Sequence, residues 1–222
     1  MLRIRYKNDA PRRPPRVILL GPPGSGRSTQ AKIISRRFGL VHICTRTLIR
    51  EEIKLKPELA HIIQKCMTSG QHVPEHVVIP LIENRLKESD CRVNGWILDG
   101  FPQTEAQINL LKSLRIRPSL VCLFEQPEAE SMKRLGHRKI DPETGTVYDM
   151  DMAPPLDDNV TQRLTELVED KESVIRARMT HYNQQQHHIE EAFKDMLFTV
   201  QADQPIEQVT EVISDVILNP IF

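Results

Sequence analysis

The chain has no excess of charge. Its 30 Lys and Arg are matched by 30 Asp and Glu over 222 residues, which argues against a surface made for nucleic acid or for a membrane. It is poor in cysteine, and Cys44, Cys66, Cys91 and Cys122 are widely spaced with no C-x-x-C pair. That speaks against a zinc ribbon and a disulfide framework, and leaves buried thiols in a reducing compartment. No apolar run reaches membrane-spanning length, and no signal-peptide core is present. The histidines lack ligand spacing, and His187-His188 reads as a solvated helix face. There is no internal repeat. Residues 1–15 are basic and broken by Pro11, Pro14 and Pro15, as expected of a leader or a linker.

What is present centres on Gly21-Pro22-Pro23-Gly24-Ser25-Gly26-Arg27-Ser28-Thr29. The apolar run Val17 to Leu20 precedes it and an amphipathic segment follows. Strand, glycine turn and helix are the setting of a phosphate-binding loop: Gly21, Gly24 and Gly26 let the backbone wind tightly and aim its N–H groups inward. The helix adds the positive end of its dipole. Ser28 or Thr29 offers a hydroxyl to a Mg²⁺ that bridges phosphates. Arg27 stands where the usual G-x-x-x-x-G-K-S pattern has lysine.

Periodicity predicts a strand at Leu40 to Ile43, then helices over Thr45 to Ile53, Glu58 to Ser69 and Pro74 to Leu86. Trp96 to Leu98 reads as a buried strand ending at Asp99-Gly100. A helix over Glu105 to Leu114, a strand over Leu120 to Phe124 and a helix over Glu128 to Leu135 follow. Arg138 to Pro155 is rich in turn residues and poor in apolar ones, as expected of a mobile flap. A long polar helix from Lys171 to His187, a separate short one over Ile189 to Phe193, a strand over Phe198 to Val200 and a closing helix from Ile206 complete the pattern. Five strands alternating with helices predict a parallel α/β sheet.

Four ordered motifs then resemble the adenylate kinases, the nucleoside monophosphate kinase family, from Pro15 onward. They are the glycine loop; His42-Ile43-Cys44-Thr45 through Arg50, against the family's H-I-S-T-G-D-M-L-R; Gly95-Trp96-Ile97-Leu98-Asp99-Gly100-Phe101-Pro102-Gln103-Thr104, against G-F/W-I/L-L-D-G-F-P-R-T; and Asp141-Pro142-Glu143-Thr144-Gly145 with Tyr148, against D-P-x-T-G-x-x-Y. The resemblance implies an α/β P-loop kinase domain over residues 16–222, a five-stranded parallel sheet with a helical monophosphate-binding insert at about 45–73 and a lid at about 138–163. It implies ATP and AMP or ADP as ligands, Mg²⁺ carried with ATP, and reversible phosphoryl transfer from ATP to AMP. Gly21, Gly24, Ser25, Gly26, Arg27, Ser28, Thr29 and Arg134 would hold ATP; Thr45, Arg50, Val73, Gly100, Gln103 and Gln107 would hold AMP. Arg27, Asp99, Arg138 and Arg178 would act on the transferring group, Arg138 and Arg163 from the lid. Ser28, and Asp99 through water, would hold the metal. With no cysteine in the lid, a structural zinc there is not expected. Asp9-Ala10-Pro11 and the ending Ile217 to Pro220 resemble a tandem-domain member associated with cilia. That implies a monomeric domain of the cytoplasm or axoneme, set in a tandem chain or ciliary assembly, with neither nucleic acid nor membrane as partner.

Three positions depart from the family pattern. Arg27 replaces the loop lysine. Gln103 replaces the arginine that grips the AMP phosphate, leaving Arg117 and Lys139 as substitutes to be tried. Counting back from Arg178 lands on Leu167 where a lid arginine is expected, and Arg163 serves only if about four residues are inserted. Reduced turnover follows, and the competing expectation is a non-catalytic nucleotide-binding or scaffolding module.

Overall fold

The computed structural model describes residues 14–220. Most of the expected leader, including Asp9-Ala10-Pro11, lies outside the described residues. From the N-terminal side, β1 (Arg16–Leu20) runs through the glycine loop into α1 (Arg27–Phe38). Next come β2 (Val41–Cys44), α2 (Thr45–Leu55), α3 (Ala60–Ser69), α4 (Glu75–Lys87), α5 (Ser89–Asn94), β3 (Trp96–Asp99), α6 (Glu105–Ser113), β4 (Leu120–Glu125) and α7 (Glu128–Gly136). An excursion holds β5 (Arg138–Ile140), β6 (Val147–Asp149), α8 (Asp158–Arg163) and β7 (Thr165–Glu166). It is followed by α9 (Glu172–Phe193), β8 (Leu197–Gln201) and α10 (Ile206–Leu218).

The main sheet has the order β2-β3-β1-β4-β8, with every neighbouring pair parallel. Its strands read as unbroken apolar runs because both faces are covered. Val17 and Leu19 point to one side, where Ala31 and Ile34 of α1 meet Val209 and Ile213 of α10. Ile18 and Leu20 point to the other, where Ile43, Trp96 and Leu98 pack with Ile63, Val78 and Ile82 of the helices after β2. Each fully buried side chain of this size contributes roughly 1.5–3 kcal/mol. The register sets Leu19 beside Asp99. The glycine loop that follows β1 therefore starts next to the end of β3, at the carboxyl edge where open α/β sheets bind ligands.

Three details differ from the sequence-based expectation. The long polar helix and the short one after it are a single helix, α9: no glycine or proline separates them, and Ile189 and Phe193 continue the buried stripe. The six-residue α5 was not expected. The excursion is not featureless, since β6-β5-β7 make an antiparallel sheet. A polar hub organises this sheet. Asp141, fully buried, accepts from Arg163 Nε and Nη2 at 2.7 and 2.8 Å, from Thr144 Oγ1 at 2.8 Å and from the Glu143 N–H at 3.0 Å. The Arg163 bonds pull its carboxyl far below the usual carboxylate range, against the effect of burial.

Candidate active site

α1 begins without a side-chain cap and without an acidic residue in its first turn, so its leading N–H groups stay open to an anion. Gly26 lies at φ 80°, a conformation that side chains resist, and Gly24 at φ 82° also comes so near α7 that a Cβ would stand 2.9 Å from the Ser131 carbonyl. Between them the Ser25 hydroxyl is buried with no hydrogen-bond partner among the described residues, as expected of a donor facing a bound phosphate.

One cleft collects most of the expected residues. From the loop side come Gly21, Arg27 and Ser28; from the end of β3, Asp99 and Gly100; from the far side, Thr45, Arg50, Val73, Gln103 and Gln107; and from α9, Arg178. Gly24, Ser25, Gly26 and Thr29 belong to the loop but not to the cleft lining. Arg134, Arg138 and Arg163 do not line the cleft either. Arg134 donates to Glu130 and to the Ala202 carbonyl, Arg138 is bound by Asp170, and Arg163 by Asp141. Leu167 is buried where the family pattern asks for arginine. Arg117 is exposed, and neither it nor Lys139 reaches the cleft.

Asp99 is 3% exposed. Burial pushes its carboxyl up, but His42, the Arg27 guanidinium and Ser28 together outweigh burial and hold it at about 2. His42 Nε2 stands 3.5 Å from Asp99 Oδ2, and neither atom has a hydrogen-bond partner among the described residues. A buried, ionised carboxylate oxygen without a partner beside a serine hydroxyl fits a Mg²⁺ held partly through water.

On the side of the cleft opposite the loop, Thr45 and Gln107 are braced. Thr45 Oγ1 donates to the carbonyls of Asp99 and Gly100 at 3.3 and 3.2 Å. Gln107 Oε1 accepts from the Gln103 N–H at 2.7 Å, and Gln107 Nε2 donates to Glu75 at 3.1 Å. This fixes the amide and leaves one N–H and one lone pair for a base. Gln103 Oε1 faces His72 Nδ1 at 3.0 Å, and the His72 ring touches His181.

Sequence reasoning missed Glu75, His72, Glu169 and Arg46. The first three are made relevant only by tertiary contact. Arg46 carried a visible signal, since the family pattern has glycine there. Arg46 Nη1 donates to Glu169 at 2.7 Å, and Arg178 Nη1 donates to the Glu169 carbonyl at 3.1 Å. Burial lowers the Arg27 guanidinium, with Asp99 opposing. Burial, then the charge of Arg46, bring Arg178 down to about 10. Four guanidiniums (Arg27, Arg46, Arg50 and Arg178) thus face two carboxylates (Asp99 and Glu169) among the charged residues that line the cleft. Such an arrangement is built to receive a polyanion.

The sequence model of the adenylate kinases matches residues 19–197. The chain is 32% identical over 196 residues to a chloroplastic adenylate kinase of Zea mays, covering 88% of each chain. It is 36% identical over 203 residues to an adenylate kinase of Archaeoglobus fulgidus, covering 87% of this chain and 93% of that one. Against adenylate kinase 8 of Homo sapiens it is 31% identical over 207 residues, covering 93% of this chain but 43% of the relative.

Proposed function

Since the chain belongs to the adenylate kinase family and is a phosphotransferase of the nucleoside monophosphate kinase kind, we propose that it moves the terminal phosphoryl group of ATP reversibly to AMP, giving two ADP. The observation that carries this is the cleft, which joins the glycine loop to Thr45, Arg50, Val73 and Gln107 across Asp99 and Arg178. A phosphoryl donor seated on the loop and a monophosphate seated opposite would meet at the Arg27–Arg178 end. Phosphoryl transfer needs in-line positioning, charge neutralisation and exclusion of water rather than a covalent partner. Arg27 and Arg178, partly stripped of water, supply preorganised positive charge there. Asp99 and Ser28 would hold the Mg²⁺ of MgATP, which supplies further neutralisation of the phosphates. Arg50 would hold the monophosphate and Gln107 its base.

The proposed organisation is a core with a monophosphate-binding insert at about 45–73 and a lid at about 138–163. Within it, Arg134 would meet the ATP base and Arg138 would join the phosphates on closure. Turnover is proposed to be low, because Arg27, Gln103 and Leu167 each depart from the family pattern at a charge-handling place. Those same departures favour a second reading, a nucleotide-binding scaffold module. Similarity to less than half the length of a longer relative supports a unit of a tandem chain. A cytoplasmic or axonemal setting is proposed with it, resting on the resemblance to a cilium-associated member. Among the described residues no helix is long and apolar enough to cross a membrane.

A coupled assay of ADP formation tests the primary reading, run with MgATP and each of several monophosphates against a control without acceptor. ADP formation that depends on AMP is expected. Binding of MgATP with no acceptor-dependent ADP at millimolar AMP would establish the scaffold reading instead.

A further inference from the structure

Residue 103 presents a neutral amide where the monophosphate needs a cation, and Arg50 alone leaves a dianion under-neutralised. We propose that Arg46 is the second phosphate-holding cation of the monophosphate half of the cleft; this rests on the AMP-acceptor reading above.

Arg46 stands in the first turn of α2, directly after Thr45, and lines the same cleft as Arg50 and Gln103. A cation at a helix N-terminus opposes the macrodipole, and α2 has no acidic residue in its first turn to offset it. A phosphate arriving at that end would satisfy both the dipole and the side chain. The bond from Nη1 to Glu169 holds that end of the guanidinium, since Glu169 is itself 7% exposed and anchored on the turn before α9. Nε and Nη2 take no hydrogen-bond partner among the described residues, and the side chain is 42% exposed. One edge of the fork is therefore held and the other is free for phosphate oxygens, the geometry of bidentate recognition. Arg46 lines the same cleft as Arg27 and Arg178, at whose end the two nucleotides would meet. Relative to the family pattern, one arginine has left position 103 and another has entered at position 46.

Calorimetry of AMP and of ATP binding tests this directly, without depending on turnover. Arg46→Ala should weaken AMP by roughly 10- to 100-fold, the worth of one charge-assisted hydrogen bond, and leave ATP unchanged. Arg46→Lys should lose less. Gln103→Arg should add little to the parent but restore AMP binding to Arg46→Ala. Glu169→Gln separates anchoring from charge: the amide oxygen can still accept from Arg46 while a negative charge leaves the cleft, so AMP affinity should hold or rise. Equal losses in Arg46→Ala and Glu169→Gln, for both nucleotides and with a fall in Tm, would overturn the proposal in favour of a strut. Unchanged AMP affinity in Arg46→Ala would overturn it alone. No AMP binding by the parent would overturn it together with the AMP-acceptor reading.

Discussion

Arg27 is half-buried at the start of α1, beside Asp99, and its side chain has no hydrogen-bond partner among the described residues. Lysine at this place acts as a compact point donor, whereas a planar fork is longer and commits its charge to two directions. Arg27→Lys should therefore raise turnover about tenfold, equivalent to about 1.4 kcal/mol of barrier. Tm should barely move, because the residue packs little of the core. Initial rates at saturating nucleotides check it, and a fall in turnover would show that the arginine is fitted to this cleft. His72 makes a second prediction at this scale. Burial, then the neighbouring His181, hold its imidazole below the usual value, while Gln103 and the Glu75 carboxylate work the other way. A histidine depressed in the folded state binds fewer protons than in the unfolded chain, so stability is full above about pH 6.5 and is lost as pH falls through that value. Tm should drop between pH 7.5 and 5.5, and His72→Gln should flatten the slope. Equal slopes in parent and variant would remove His72 from the account.

The elements differ in how far they could be read from sequence, and the reason is where their stability comes from. β1, the glycine loop and α1 were legible because local rules suffice: an apolar run buried on both faces, then glycines that take left-handed φ. β3 and β4 were legible on the same ground. The β6-β5-β7 sheet was not, because its strands lean on the ion-paired Asp141 rather than on an apolar face, and a polar hub leaves no periodic signal. The break expected before Ile189 was absent because Ile189 and Phe193 carry on the buried stripe of Val174, Ile175 and Met179, with no glycine or proline to end the helix. In the cleft, Thr45, Arg50 and Asp99 could be found by motif. Glu75, His72 and Glu169 could not, since each enters through a contact more than 25 residues away in sequence. Arg46 was within reach, since an arginine stands there where the family pattern has glycine.

At the scale of the whole molecule, the two proposed inserts share one tether. The short turn Val168–Asp170 carries Glu169, which binds Arg46 at the start of the monophosphate insert, and Asp170, which binds Arg138 at the start of the lid. Gly70, at the other end of that insert, sits so close to α9 that a Cβ would stand 2.7 Å from the Val174 carbonyl. Both inserts are thus fastened to one place on the core, and the cations that fasten them are those a phosphate chain would recruit. A molecule that spans both halves of the cleft should draw on both sets of contacts at once. Two adenosines joined by five phosphates are therefore expected to slow hydrogen exchange in residues 45–73 and 138–163 together. Stability should rise by about 2.7 kcal/mol at a hundredfold excess over Kd. AMP alone should protect mainly the first segment, and ATP alone the glycine loop and the second. Protection confined to the glycine loop under all three ligands would mean that the inserts do not close on substrate, and would leave a module that holds one nucleotide.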